Sequence, residues 1–107
     1  MVLTRDYKES IKTRASRDPE FAGSLMKEAM ASFLDGEPET ARIILRDLVN
    51  STIGFEQLAK KLNKPSKSVH RMLSPKGNPT MDNLTGILVA LQENLNSELQ
   101  VDLLTNN

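Results

Sequence analysis

The chain has 107 residues, 38% of them hydrophobic and 26% charged, with fourteen basic and fourteen acidic side chains and a formal net charge of zero. That length fits one domain with one core, and the composition is ordinary for a globular protein, so disorder is not the default. Cysteine is absent and histidine occurs once, which excludes disulfides and thiolate–metal sites and leaves no nitrogen cluster for a metal.

The elements follow in chain order. Met1 to Arg17 is charged throughout and lacks the apolar centre of a signal peptide. No apolar run approaches the ~20 residues that span a bilayer, so no membrane association and a cytoplasmic location are expected. Thr4 is placed to cap a first helix carrying Tyr7 and Ile11 one turn apart. Asp18-Pro19 starts a second helix, with a carboxylate at the cap and proline at the first helical position. Its apolar stripe is Phe21, Leu25, Met26, Ala29, Met30 and Phe33, and Gly36 suits its C-terminal cap. Pro38 and the flanking acids begin a third helix, in which Ala41, Ile44, Leu45, Leu48 and Val49 face inward. Gly54 is the next stop.

Two short helices come next. Phe55 to Leu62 has apolar positions at Phe55, Leu58, Ala59 and Leu62. Asn63-Lys64-Pro65 interrupts, because Asn tolerates a left-handed turn and proline begins a helix better than it continues one. Ser66 to Leu73 then sets Val69, Met72 and Leu73 on one face and Ser66, Lys67, Ser68, His70 and Arg71 on the other. Ala59 is small enough for the two helices to approach closely. This is the layout of a helix-turn-helix, whose second helix enters a DNA major groove.

Charge distribution agrees with that layout. Gln57 to Asn78 carries Lys60, Lys61, Lys64, Lys67, Arg71 and Lys76, together with His70 and no acid, whereas residues 1–56 hold ten acids against eight bases. Charge segregated in this way is a footprint for a polyanion; the plainer alternative is a solvated face. The loop Ser74-Pro75-Lys76-Gly77-Asn78-Pro79-Thr80 is rich in turn residues. It reads either as a phosphate grip, through the backbone amides of Gly77 and Asn78, or as a connector. Thr80 can cap the next helix, which runs to about Gln92 with Leu84, Ile87, Leu88 and Leu91 inward. In the tail, Leu95, Leu99 and Leu103 keep a helical spacing, while Leu99, Val101 and Leu103 alternate as in a strand. Asn94 to Ser97 reads as a turn, which favours a short strand near Glu98 to Leu104, paired with its counterpart in a second subunit. Met1, Met26, Met30, Met72 and Met81 read as core filler.

The expected architecture is therefore all-α, a helix-turn-helix domain with the short C-terminal strand as a possible dimerisation element. Residues 1–107 form one helical domain. N-terminal helices occupy 4–53, the helix-turn-helix core and following helix 54–92, and the tail 93–107. Candidates for base-edge contact are Ser66, Lys67, Ser68 and Arg71, since Arg and Lys pair with guanine O6 and N7. Candidates for phosphate are Gln57, Lys64, His70, Lys76, Asn78 and Thr80. No nucleophile–base pair, carboxylate dyad, metal set or glycine-rich phosphate loop occurs, so neither enzymatic activity nor a cofactor is expected.

Gly54-Phe55-Glu56-Gln57-Leu58-Ala59, Ser66 through Leu73 and the Ser74–Thr80 loop together resemble the Xre/Cro-type helix-turn-helix. More narrowly they resemble the HigA-like addiction-module antidote family, which also has counterparts to Thr4-Arg5-Asp6-Tyr7, Asp18-Pro19-Glu20, Gly36-Glu37-Pro38-Glu39 and Leu45-Arg46-Asp47-Leu48. The resemblance covers about residues 4 to 92, and the Ser74–Thr80 loop is its most specific part. It implies a five-helix, lambda-repressor-like domain that forms a homodimer, binds a palindromic operator in double-stranded DNA and represses its own operon. It also implies a partner, a RelE-like mRNA-cleaving toxin; the helices from Thr4 to Asp35, mixed in charge and not needed for a minimal helix-turn-helix, are the candidate docking stretch. Asn63, Lys64 and Pro65 stand where the family has glycine, an apolar residue and serine, which implies one buried contact fewer at the turn and one cation more beside DNA. A stand-alone Xre-type regulator and a helical protein-interaction module are the competing expectations.

Overall fold

The computed structural model describes the backbone of residues 18–105 and the side chains of residues 18–97. The helix expected from Thr4 lies outside the described residues. Within them the chain forms five helices and no strand: α1 (Pro19–Leu34), α2 (Pro38–Ser51), α3 (Phe55–Leu62), α4 (Ser66–Met72) and α5 (Met81–Thr105).

Local chemistry accounts for most of the boundaries. The Asp18 carboxylate accepts the amides of Glu20 at 3.0 Å and Phe21 at 3.2 Å, satisfying two donors that the first turn of α1 leaves unpaired. Gly36 sits in the left-handed region at φ 75°. Its amide donates to the Phe33 carbonyl while that of Glu37 donates to Ser32, the paired closure of a Schellman motif. Pro38 opens α2, which ends before Gly54 (φ 82°). Thr80 Oγ1 accepts the Asn83 amide at 3.1 Å and caps α5.

The core draws on all five helices. Leu45, Leu48 and Val49 of α2, Leu58 of α3, Val69 of α4, and Ile87 and Leu91 of α5 are all fully buried, joined by Ala22 and Ala29 of α1 and by Leu73 just beyond α4. Small side chains let the helices close up. A methyl group on Gly86 of α5 would lie 2.8 Å from a terminal methyl of Leu62, so the missing side chain makes room for α3.

Two expectations fail here. The first concerns the tail: α5 continues through Asn94–Ser97 and through Glu98–Leu104, so the turn and the strand expected there are helix, and among the described residues no strand offers a dimer edge. Leu95 is buried one turn beyond Leu91, and the Gln92 amide donates to Asn96 Oδ1 at 3.2 Å along the helix. No glycine or proline follows Gly86. Asparagine costs a helix only some tenths of a kcal/mol, less than burial of Leu95 returns. The second concerns methionine. Met26 is buried and Met72 half-buried, but Met30 (41% exposed) and Met81 (78%) are not core filler; Met1 lies outside the described residues. Met30, Leu34 (89% exposed) and Val89 (49%) rim an open groove of about 540 Å³ between α1 and α5.

Candidate nucleic-acid interface

The turn between α3 and α4 is closed by the same device as the end of α1, with Asn63 in place of glycine. Asn63 adopts φ 53°, ψ 47°; its amide donates to Lys60 and that of Lys64 to Ala59. The asparagine therefore does the work of a glycine at a small conformational cost. Pro65 lies extended just before α4, and its carbonyl accepts the amides of Ser68 and Val69. α4 thus begins at Ser66, immediately after proline.

Behind α4, Val69 and Leu73 are fully buried and Met72 is half-buried. In front, Lys67, His70 and Arg71 are exposed, and Ser66 and Ser68 are half-buried. Gln57, Lys64, Lys76, Asn78 and Thr80 are exposed as well. The outward flank is therefore open to solvent along its length.

Not every candidate shares one site. Ser68, Arg71, Lys76 and Asn78 come together around a concavity of about 290 Å³ between α4 and the following loop, floored by Met72 and Gly77. Lys64 and Ser66 line another of about 460 Å³ at the α3–α4 junction, where Glu56 faces Lys60 and Lys64. The acid-free run starts one residue too late to register that carboxylate, so this second concavity has mixed charge. Lys67, Gln57 and Thr80 line neither. His70 stacks on Phe55 with ring centroids 3.8 Å apart and planes 18° from parallel. It joins α4 to the first residue of α3 as much as it faces outward. The Thr80 hydroxyl oxygen is engaged in capping α5 and keeps its proton to donate.

The loop after α4 is built differently from the expected amide grip. The Gly77 amide donates to the Ser74 carbonyl at 2.9 Å, closing a four-residue turn, so it is not free for a phosphate. Glycine is required there for space: a Cβ would lie 2.6 Å from the Arg71 carbonyl oxygen and nearer still to that of Met72. Ser74, Pro75 and Gly77 occupy the positions a type I turn favours for serine, proline and glycine. Arg42 of α2 holds the turn from behind, donating from Nε to the Ser74 carbonyl at 3.2 Å and from Nη2 to the Pro75 carbonyl at 3.0 Å. Sequence reasoning missed Arg42, which stands more than thirty positions upstream in a helix read only for its apolar face. An ion pair, Lys61 to Glu93 at 3.5 Å, links α3 to α5 in largely exposed surroundings, where it contributes little.

Among the described residues no group of three His, Cys, Asp or Glu side chains is arranged to hold a metal ion, and no helix is long and apolar enough to cross a membrane. Against models of protein families, curated proteins and solved structures, the chain finds no match.

Proposed function

We propose that the chain is a sequence-specific DNA-binding repressor of the lambda-repressor-like kind, acting by binding rather than by catalysis, with α4 in the major groove of double-stranded DNA. One observation carries this reading: α4 turns Val69 and Leu73 into the core while Lys67 and Arg71 stand exposed on the opposite side. Burial behind and cations in front are what a reading helix needs, because the buried side fixes the orientation in which the charged side meets a duplex. Lys67 and Arg71 are the base readers, assisted by Ser66 and Ser68. Lys64, Lys76 and Asn78 face phosphate, with Gln57, His70 and Thr80 at the margin.

The narrower reading, an antitoxin that represses its own operon as a homodimer and neutralises a RelE-like ribonuclease, draws on the family resemblance. Exposed Met30 and Leu34, within the stretch assigned to toxin docking, are compatible with a protein partner there. The same two side chains favour the second reading, a helical protein-interaction module in which the cations serve solubility.

Gel retardation on the DNA upstream of the coding sequence, against a scrambled duplex and across a salt series, separates the readings. The repressor reading expects retardation of the upstream DNA at low salt, preference over the scrambled duplex, and affinity that falls steeply as salt rises. Absence of retardation at low salt leaves the interaction module standing. Co-purification with the product of the adjacent open reading frame tests the antitoxin reading.

A further inference from the structure

We propose that Arg42, on α2 and outside the cationic segment, is a positioning residue for phosphate contact by the turn that follows α4. The inference rests on the DNA-binding reading and extends it to a residue in the body of the fold. Four observations carry it. Arg42 is half-buried, next to the fully buried Ala41, on a helix anchored by Leu45, Leu48 and Val49. Its guanidinium makes two hydrogen bonds, both to carbonyls of the turn, Ser74 and Pro75. The Ser74 carbonyl also receives the Gly77 amide, so one oxygen joins the clamp to the hydrogen bond that closes the turn. Lys76 lies within that turn and lines the same concavity as Arg71 and Asn78.

The mechanical consequence is specific. Lys76 is a compact charge on a flexible stem, and its backbone lies in a short turn where side-chain packing is sparse. Without the clamp the turn is held by its own closing bond, by the Ser74 amide and hydroxyl, which both donate to the Arg71 carbonyl, and by Gly77 lying against the end of α4. The clamp adds a tie from α2 to the two residues that precede Lys76. Arg71 and Lys76 line one concavity, and a phosphate can meet both cations only if the turn holds Lys76 in place. Arg42 itself need not touch DNA. A planar guanidinium with two donors spaced for two successive carbonyls does this; a lysine ammonium has its three donors on one freely rotating nitrogen and fixes no such spacing.

The test combines equilibrium binding to the upstream DNA with amide exchange on the free protein, for the wild type, Arg42→Ala, Arg42→Lys, Lys76→Ala and the Arg42→Ala/Lys76→Ala double variant. Losing one phosphate contact lowers affinity about fivefold near 0.15 M salt and reduces the slope of log K against log salt by about one. Arg42→Ala is expected to match Lys76→Ala in both, and the double variant to be no weaker than Lys76→Ala alone. Arg42→Ala is also expected to speed exchange at the Gly77 amide, with Arg42→Lys in between. Losses that multiply in the double variant, an Arg42→Ala variant that binds like wild type, or unchanged exchange at Gly77 would each overturn the inference. If Lys67→Ala and Arg71→Ala weaken binding while Lys76→Ala does not, the inference falls and the DNA-binding reading stands. If the wild type binds no DNA, that reading falls, whatever Gly77 exchange shows.

Discussion

The cationic flank of α4 and the apolar groove between α1 and α5 expose side chains in opposite ways. On the first, everything outward is polar, and everything behind it is locked by Val69, Leu73, the close-packed Gly77 and the Arg42 clamp. On the second, Met30, Leu34 and Val89 stand exposed around a shallow depression whose charged lining residue is Lys27. The difference teaches that exposure carries separate meanings. Exposed cations cost the fold little and are available to a polyanion. Exposed apolar side chains give up burial energy that a covering surface would recover.

Four substitutions sharpen or break the comparison. The largest effect is expected beneath the α4 flank. Leu58→Ala empties a fully buried position between α3 and the core and should cost about 2–5 kcal/mol of stability, read by chemical denaturation, with DNA binding lost in parallel. Gly77→Ala comes next. The added methyl meets backbone carbonyls that cannot swing aside, so overpacking should cost about 1–3 kcal/mol; a melting temperature equal to wild type would show that the loop yields more easily than its geometry implies. On the flank itself, Arg71→Ala should leave the unfolding midpoint in place. If the proposed function holds, it should weaken operator binding by about 1–3 kcal/mol and relax preference at one base pair; an equal loss on every sequence would make it a phosphate contact instead. The smallest effect belongs to the groove. Leu34→Ser, at a side chain 89% exposed, should change stability by less than about 0.5 kcal/mol and leave DNA binding unaltered. A large destabilisation would mean that this side chain is covered in solution.

Much of the fold was legible because caps and periodicity are local. Asp18-Pro19, Gly36, Pro38, Gly54 and Asn63-Lys64-Pro65 mark boundaries within a residue or two, since each acts through its own φ or through amides two or three residues away. Of the candidate site, the outward set on α4 was legible for the same reason: a helix with Val69 and Leu73 inward must turn Lys67 and Arg71 outward. What was not legible depends on neighbours distant in sequence. The stripe Phe21 to Phe33 shows that α1 has an apolar side, but not that Met30 falls at its uncovered margin. The tail offered equal counts for helix and strand, and burial of Leu95 decided between them.

The order of the helices, their ends as far as the start of α5, the left-handed turn at Asn63 and the segregation of cations between Gln57 and Asn78 were thus determined by the sequence alone, because they arise from torsions and spacings within a few residues. Tertiary structure alone decided that Gly77 lies against the carbonyls ending α4, that Arg42 reaches the turn from α2, that Phe55 carries the His70 ring, and that Glu56 intrudes on one concavity. Those contacts join residues that only the packing of separate helices brings within hydrogen-bond or van der Waals range, and no local pattern encodes that distance.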